Sequence, residues 1–268
     1  SLLLLAWLTL HWGILPHIDE WRPRVEALAS RSLGVPVKLG RIEVRTGSWV
    51  PAAELRDVVL HDAQGREALR LPRVTASLSL PALLALELRF DQLLIEGAAL
   101  EVRRDAQGRL RVAGIDMGDG EAGTGSTELS DWFFEQHEFV IRGSTLRWVD
   151  ELRDAPPLAL ADVQLVVRNS LRRHDVRLDA TPPAAWGERF TLQARFRQPL
   201  IARAGDFSRW SGTVHAALPH ADVAELRRHV ALPFELAGGA GALRAWLDID
   251  QGRPRGATVD VALRDVNL

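Results

Sequence analysis

A chain of 268 residues that is 47% apolar and 25% charged is long and greasy enough for a substantial core, which excludes wholesale disorder. Its net charge of −2 leaves no electrostatic footprint for nucleic acid, and the absence of cysteine excludes disulfides and thiolate metal sites. Positive charge is almost entirely arginine, Lys38 being the one lysine.

Residues 2–15 are apolar except for Thr9 and His11 and include Trp7 and Trp12. The run falls short of the roughly 20 residues that a membrane-spanning helix needs. The chain opens directly on Ser-Leu-Leu-Leu-Leu, however, so residues 1–15 read as a truncated transmembrane helix with His11 and Trp12 near its far interface. A signal-peptide core and a buried helix are the alternatives, and the lack of a small-x-small cleavage site counts against the first. Pro16 ends the run. Ile18, Trp21, Val25, Leu28 and Ala29 then recur at helical spacing, and Gly34 suits the position just past a helix end. Residues 16–34 therefore read as a short amphipathic helix with Pro23 in its first turn. It either lies on lipid or packs on the first strands, and packing is the expectation.

From Val35 the apolar period becomes two. Val74, Ala76, Leu78 and Leu80 alternate with polar residues, as do Val176, Leu178 and Ala180; Phe190, Leu192, Ala194 and Phe196; and Leu243, Ala245, Leu247 and Ile249. Each is a half-buried strand with one apolar face. Short connections predict antiparallel meanders. Asp62-Ala-Gln-Gly-Arg66 recurs letter for letter as Asp105-Ala-Gln-Gly-Arg109, and both read as hairpin turns with Gly65 and Gly108 left-handed. Ile95-Glu-Gly-x-x-Leu100 matches Ile141-Arg-Gly-x-x-Leu146. A third repeat, Leu-x-Asp-Val-x-Leu, begins at Leu55, Leu160 and Leu263. Self-similarity of this kind predicts one supersecondary unit laid down repeatedly, and its last copy at residue 268 reads as an array that continues. Helical turns are predicted at Pro81–Leu86, Asp131–His137 and Ala221–Val230. The Gly-, Ser- and acid-rich stretch 114–128 reads as a mobile loop. Residues 35–268 read as one β domain that divides loosely at this stretch, into 35–114 and 129–268, without separate cores.

No catalytic constellation emerges. Phosphate-loop and nucleophile-elbow signatures are absent. His215, His220 and His229 are the closest histidines, but their spacing does not set them on one helix face with an acid. Asp248-x-Asp250-x-Gly252 opens like a calcium loop, lacks the later acidic ligand, and reads as a strand end entering a turn. Asp57, Asp162 and Asp265, the repeated acids, read as serving a strand edge or turn in each unit. The chain is expected to be no enzyme and to carry no metal or cofactor. What remains is the apolar face. Roughly a dozen strands about 4.8 Å apart are wider than the few helices can cover. Either the sheet closes on itself as a dry core, which the alternation alone favours, or it curls into a trough whose lining faces a ligand.

The order and spacing of many short motifs bear on that choice. They include His17-Ile-Asp-x-Trp-Arg-Pro23, Leu33-Gly-x-Pro-Val37, Val102-Arg-Arg-Asp105 with Gly108-Arg-Leu110, Asp131-Trp-Phe133 with Gln136, and Leu146-Arg-Trp-x-Asp-Glu-x-Arg153. Pro156-Pro-Leu158, Arg168-Asn169, His174, Pro182-Pro183, Trp210-Ser-Gly212 and Gly241-Ala-Leu-Arg-x-Trp246 follow. Through these the chain resembles the N-terminal part of the YhdP-type AsmA-like proteins of Gram-negative bacteria, whose members are much longer. The resemblance implies a mainly β fold: an elongated, curled antiparallel sheet, or repeating β-groove, with an N-terminal membrane-anchor helix and a few short helices. It also implies a single-pass inner-membrane protein with its bulk in the periplasm. Its ligand would be phospholipid acyl chains carried toward the outer membrane, and its partners the inner membrane and proteins of that membrane. The predicted groove lining is Leu100, Val102, Phe190, Leu192, Phe196, Leu243, Leu247 and Ile249. A non-transporting envelope scaffold with a closed, dry core is the rival reading.

Overall fold

The computed structural model describes residues 18–45, 52–62, 64–78, 90–113, 115–116, 124–230 and 238–267. The predicted anchor at 1–15 and the predicted turn at Pro81–Leu86 lie outside the described residues. Helix α1 (Ile18–Leu33) leads into a meander of β1 (Val37–Arg45), β2 (Ala52–His61), β3 (Glu67–Leu78) and β4 (Phe90–Glu96). The chain continues through β5 (Ala99–Arg104), β6 (Leu110–Val112), β7 (Ile115–Asp116) and helix α2 (Thr124–Glu135). A second meander follows: β8 (Glu138–Asp150), β9 (Ala155–Ser170), β10 (Arg173–Thr181), β11 (Phe190–Arg197) and β12 (Ser211–Asp222). Helix α3 (Val223–Arg227), β13 (Gly238–Asp250) and β14 (Arg253–Asn267) complete it. All fourteen strands join one open sheet in the order β1-β2-β3-β4-β8-β9-β10-β11-β12-β13-β14, with β5, β6 and β7 off that path.

The antiparallel expectation fails at one seam. β8 runs parallel to β4 along its first half and parallel to β5 along its second. Parallel neighbours need a long crossover, and β6, β7 and α2 supply it. One of the sequence repeats is the register of this seam: Ile95 pairs with Ile141 and Leu100 with Leu146. Gly97 (φ 70) and Gly143 (φ 57) break the two strands at the same height, where the Ala98 N–H donates to the buried Ser144 Oγ at 3.0 Å.

The repeated hexapeptide does a related job. Asp57, Asp162 and Asp265 lie inside β2, β9 and β14 and not in a turn; only Asp265 is on an edge strand, and all three are left-handed, with φ of 52, 47 and 54. A single left-handed residue in a strand acts as a bulge and inverts the alternation beyond it. Leu160 and Val163 are therefore both buried in one cluster although three residues apart, and Leu55 and Val58 likewise share a cluster. Asp57 stands opposite Gly40, where a Cβ would come within 2.9 Å of the aspartate Cβ. Continuing in register, Pro72, Gly97 and Gly143 carry the irregularity from β3 to β8. The result is a crease crossing the sheet, on both sides of which the same face is apolar.

Both Asp-x-Gln-Gly-Arg turns form as expected. In each, the aspartate carboxylate accepts from the backbone N–H groups two and four residues on and from the arginine Nε, at 2.8–3.0 Å. Gly65 and Gly108 have φ of 75 and 83. These turns mark one end of the sheet, and α2 marks the opposite end.

Helix α1 packs on the first strands. Val25, Ala29 and Leu33 enter the core while Leu28 faces water. Its polar side chains also occupy the free edge of β1: Ser30 Oγ accepts from Val37 N–H and Glu26 from Leu39 N–H. A covered edge cannot pair with another chain. Gly34 ends the helix with φ 67, and Pro23 sits a turn deeper than expected. α2 corrects two expectations. It begins at Thr124, inside the stretch read as loop 114–128, and it ends before the expected His137; β7 takes another part of that stretch. Ser, Thr and Gly lower helix propensity, but burial of Trp132, Phe133 and Phe134 against the core overrides it. α3 is shorter than Ala221–Val230, starting where the Asp222 carboxylate accepts from Glu225 N–H.

Candidate functional site

The strand registers place two ranks of apolar residues across the sheet, one residue from each of the eleven strands on its main path. The first runs Ile42, Leu55, Val74, Ile95, Ile141, Leu165, Leu178, Leu192, Ala216, Ala245, Val259. The second runs Val44, Ala53, Ala76, Leu93, Phe139, Val167, Val176, Ala194, Val214, Leu247, Ala257. No polar residue interrupts either rank. At about 4.8 Å per strand the ranks extend on the order of 48 Å.

Burial along them is graded. Ile42, Val74, Ala76, Leu93, Ile95, Phe139 and Ile141 are all under 10% exposed, because α1 and α2 lie over this part of the face. From β10 onward the ranks are half-buried: Val176, Leu178, Leu192, Ala194, Val214, Ala216, Ala245 and Leu247 all keep access to solvent. Ala257 on β14 is exposed. The dry core and the open trough are thus consecutive stretches of one surface, sealed at the N-terminal strands and open at the C-terminal ones.

Of the predicted lining, Phe190, Leu192 and Phe196 share this face on β11, and Leu243, Leu247 and Ile249 share it on β13. β12 bridges them through Leu218, Ala216, Val214 and Gly212. Leu243 is the deepest of the six at 5% exposure. Leu100 and Val102 lie apart from the six, on β5 beside Leu146 and Trp148 of β8. Missing from the predicted set were Val176 and Leu178 of β10 and Val214 of β12, whose alternation was legible, and Leu158 and Leu160, which the bulge at Asp162 moves out of phase.

The opposite face is polar. Arg177 pairs with Asp179 at 2.8 Å, Arg168 with Glu138 at 2.8 Å and Arg195 with Asp175 at 3.8 Å. Burial raises the Glu138 pKa, but hydrogen bonds from Arg168 and Gln92 outweigh it and hold the carboxylate below its ordinary range. Asp179 is lowered chiefly by its hydrogen bond from Arg177.

α2 closes one end of the face with a buried polar knot. Gln136 Oε1 accepts from Phe90 N–H at 2.9 Å, and its carbonyl accepts from Asn169 Nδ2 at 2.8 Å. With that nitrogen engaged, Asn169 presents Oδ1 to His174 Nδ1 at 2.8 Å, so Nδ1 carries the proton. His174 stacks on Trp210 at 4.1 Å and 3°, with Phe134 edge-on to both. Burial lowers the His174 pKa, against smaller opposing effects of Gln198 and Asp175. At the opposite end Asp150, 1% exposed, is held by Arg104, which lies over the Trp148 ring at 5.8 Å. Neither cluster pairs a nucleophile with a base. Among the described residues no three His, Asp or Glu side chains converge as metal ligands, and no helix is long and apolar enough to cross a membrane.

Residues scattered through the sequence, Asp131, Trp132, Gln136, Asn169, His174 and Trp210, converge at the α2 end. They are among those that carry the resemblance. No curated relative and no solved structure matches the chain. The family model described as YhdP protein matches residues 1–268. An unbroken apolar face on a single open sheet, with a match over the whole length, places the chain in the YhdP family.

Proposed function

We propose that this protein is an inner-membrane-anchored, periplasmic lipid-transfer protein whose apolar sheet face conducts phospholipid acyl chains toward the outer membrane. One observation carries the reading: two apolar ranks cross eleven strands without a polar interruption and stay half-open over the last five. An acyl chain needs such continuity, because each methylene left in water costs about 0.8 kcal/mol. Headgroups would remain at the open side, in water, while tails slide along the ranks. No bond is made or broken in this process. Residues 2–15 would cross the membrane once, with Pro16 onward in the periplasm. A phosphatase fused after Gly34 should be active there, and inactivity would refute the topology.

The scaffold reading draws on a specific observation too, the dry packing of β1–β4 and β8 beneath α1 and α2. The two readings separate at the C-terminal strands. A photoreactive residue at Leu192 or Leu247 should crosslink phospholipid in cells, and phospholipid should be found by mass spectrometry in the natively purified protein. Absence of both would leave the scaffold.

A further inference from the structure

The α2 end of the sheet carries a rim at odds with ordinary loop chemistry. Leu171, Leu200 and Ile201 are 99%, 79% and 90% exposed, the three most exposed large apolar side chains described. They sit together. Gln198 N–H donates to Arg172 O at 3.0 Å and Arg172 Nε to Gln198 O at 3.1 Å, tying the β9–β10 turn to the β11–β12 connection. Arg209 donates to Ile201 O at 3.0 Å, and Gly252 N–H donates to Trp210 O at 2.8 Å, which brings in the β13–β14 turn.

Around these aliphatic tips stand Arg172, Arg173, Arg197, Arg209 and Arg253, all exposed, and among the described residues none of them meets a carboxylate. Arg203 and Arg255 are engaged with Asp131 and Asp250, and Asp206 with Ser208. Arg173 and Arg197 are direct cross-strand partners, an arrangement of like charges that by itself weakens a sheet. A surface that holds unpaired cations around bare aliphatic side chains matches an anionic bilayer, with phosphates at the arginines and the tips among the upper acyl carbons.

The path of the chain points the same way. Ser30 reaches Val37, Glu26 reaches Leu39 and Arg22 reaches Gly40, so α1 runs antiparallel to β1 and its first residue, Ile18, lies toward the α2 end. The apolar run 2–15 therefore joins the domain at the end that carries the rim.

We propose that the rim formed by the β9–β10 turn, the β11–β12 connection and the β13–β14 turn docks on the anionic surface of a phospholipid bilayer, inserting Leu171, Leu200 and Ile201. It rests on the lipid-conduit reading only for its purpose, which is to press one side of the trough's open stretch, where β9 to β14 turn, against the lipid source.

The cysteine-free chain allows a direct test. Leu171→Cys, Leu200→Cys, Ile201→Cys and, at the opposite end, Gln107→Cys are each labelled with an environment-sensitive dye. The labelled 268-residue chain is then reconstituted into vesicles of phosphatidylethanolamine with about one-quarter phosphatidylglycerol. The three rim probes should shift to the blue and be quenched by acyl-brominated lipid, while the Gln107 probe stays water-like. Adding Arg173→Ser and Arg197→Ser should weaken rim docking, read as quenching, roughly thirtyfold, at two lost surface charges. Rim probes as water-exposed as the Gln107 probe would overturn the proposal, as would quenching indifferent to both arginines on anionic and on phosphatidylcholine vesicles alike. Crosslinking of Leu192 to lipid is scored in the same samples. Rim insertion without that crosslink would refute the conduit and keep the docking, and the reverse result would do the opposite.

Discussion

A carboxylate placed at two positions of the same rank should have opposite consequences. Leu93 is 6% exposed, between Ala76 and Phe139, in the part of the face that α1 and α2 cover. Leu93→Asp forfeits about 2 kcal/mol of side-chain burial. The new carboxyl must also stay protonated, and holding an aspartic acid of ordinary pKa about 3.9 protonated at neutral pH costs roughly 4 kcal/mol. The total is comparable to the whole stability of a domain, about 5–15 kcal/mol, so the variant should not fold. Leu247 occupies the second rank on β13, half-buried between Val214 and Ala257. Its carboxylate can reach water across the open trough, so Leu247→Asp should cost about 1 kcal/mol, or roughly 2–4 °C in Tm. Thermal melts followed by circular dichroism measure the difference. In-cell photocrosslinking then asks whether Leu247→Asp, though folded, has lost phospholipid from position 192. Equal melting losses at both positions would show that the C-terminal strands are as dry as the N-terminal ones, and the trough argument would fail.

Three further outcomes follow from the geometry. Asp162→Val places a β-branched side chain at φ 47 and should cost about 1–2 kcal/mol, whereas Asp162→Gly should melt at or above the parent; chemical denaturation distinguishes them. Fold burial disfavours protonated His174, so the unfolded chain binds the extra proton: stability should be flat above about pH 6.5 and fall as pH drops through that value, and His174→Gln should flatten the slope of the denaturation midpoint against pH. Gln136→Leu leaves the part-buried Phe90 N–H without its partner and should cost about 1 kcal/mol, while hydrogen exchange at Phe90 should accelerate more than exchange in β13.

The strand content, the two Asp-x-Gln-Gly-Arg turns and α1 were legible because each is decided locally. Period-two alternation, a carboxylate capping its own turn and a 3.6-residue stripe need only neighbouring residues to be recognised. That the six apolar residues on β11 and β13 share one face was legible for the same reason, since alternation alone says which side of a strand is greasy. The repeats were visible too, but their meaning was not. That Ile95 and Ile141 are partners in a parallel seam, and that three aspartates bend strands rather than end them, depends on which distant segment lies alongside. α2 was missed at its start because only tertiary burial of its aromatic side chains outweighs a Gly- and Ser-rich beginning. By itself, then, the sequence determined the element types and the polarity of each face, which are short-range properties of the chain. Only the tertiary structure decided which stretch of the apolar face α1 and α2 cover and which stays open, because coverage is a contact between segments far apart in sequence.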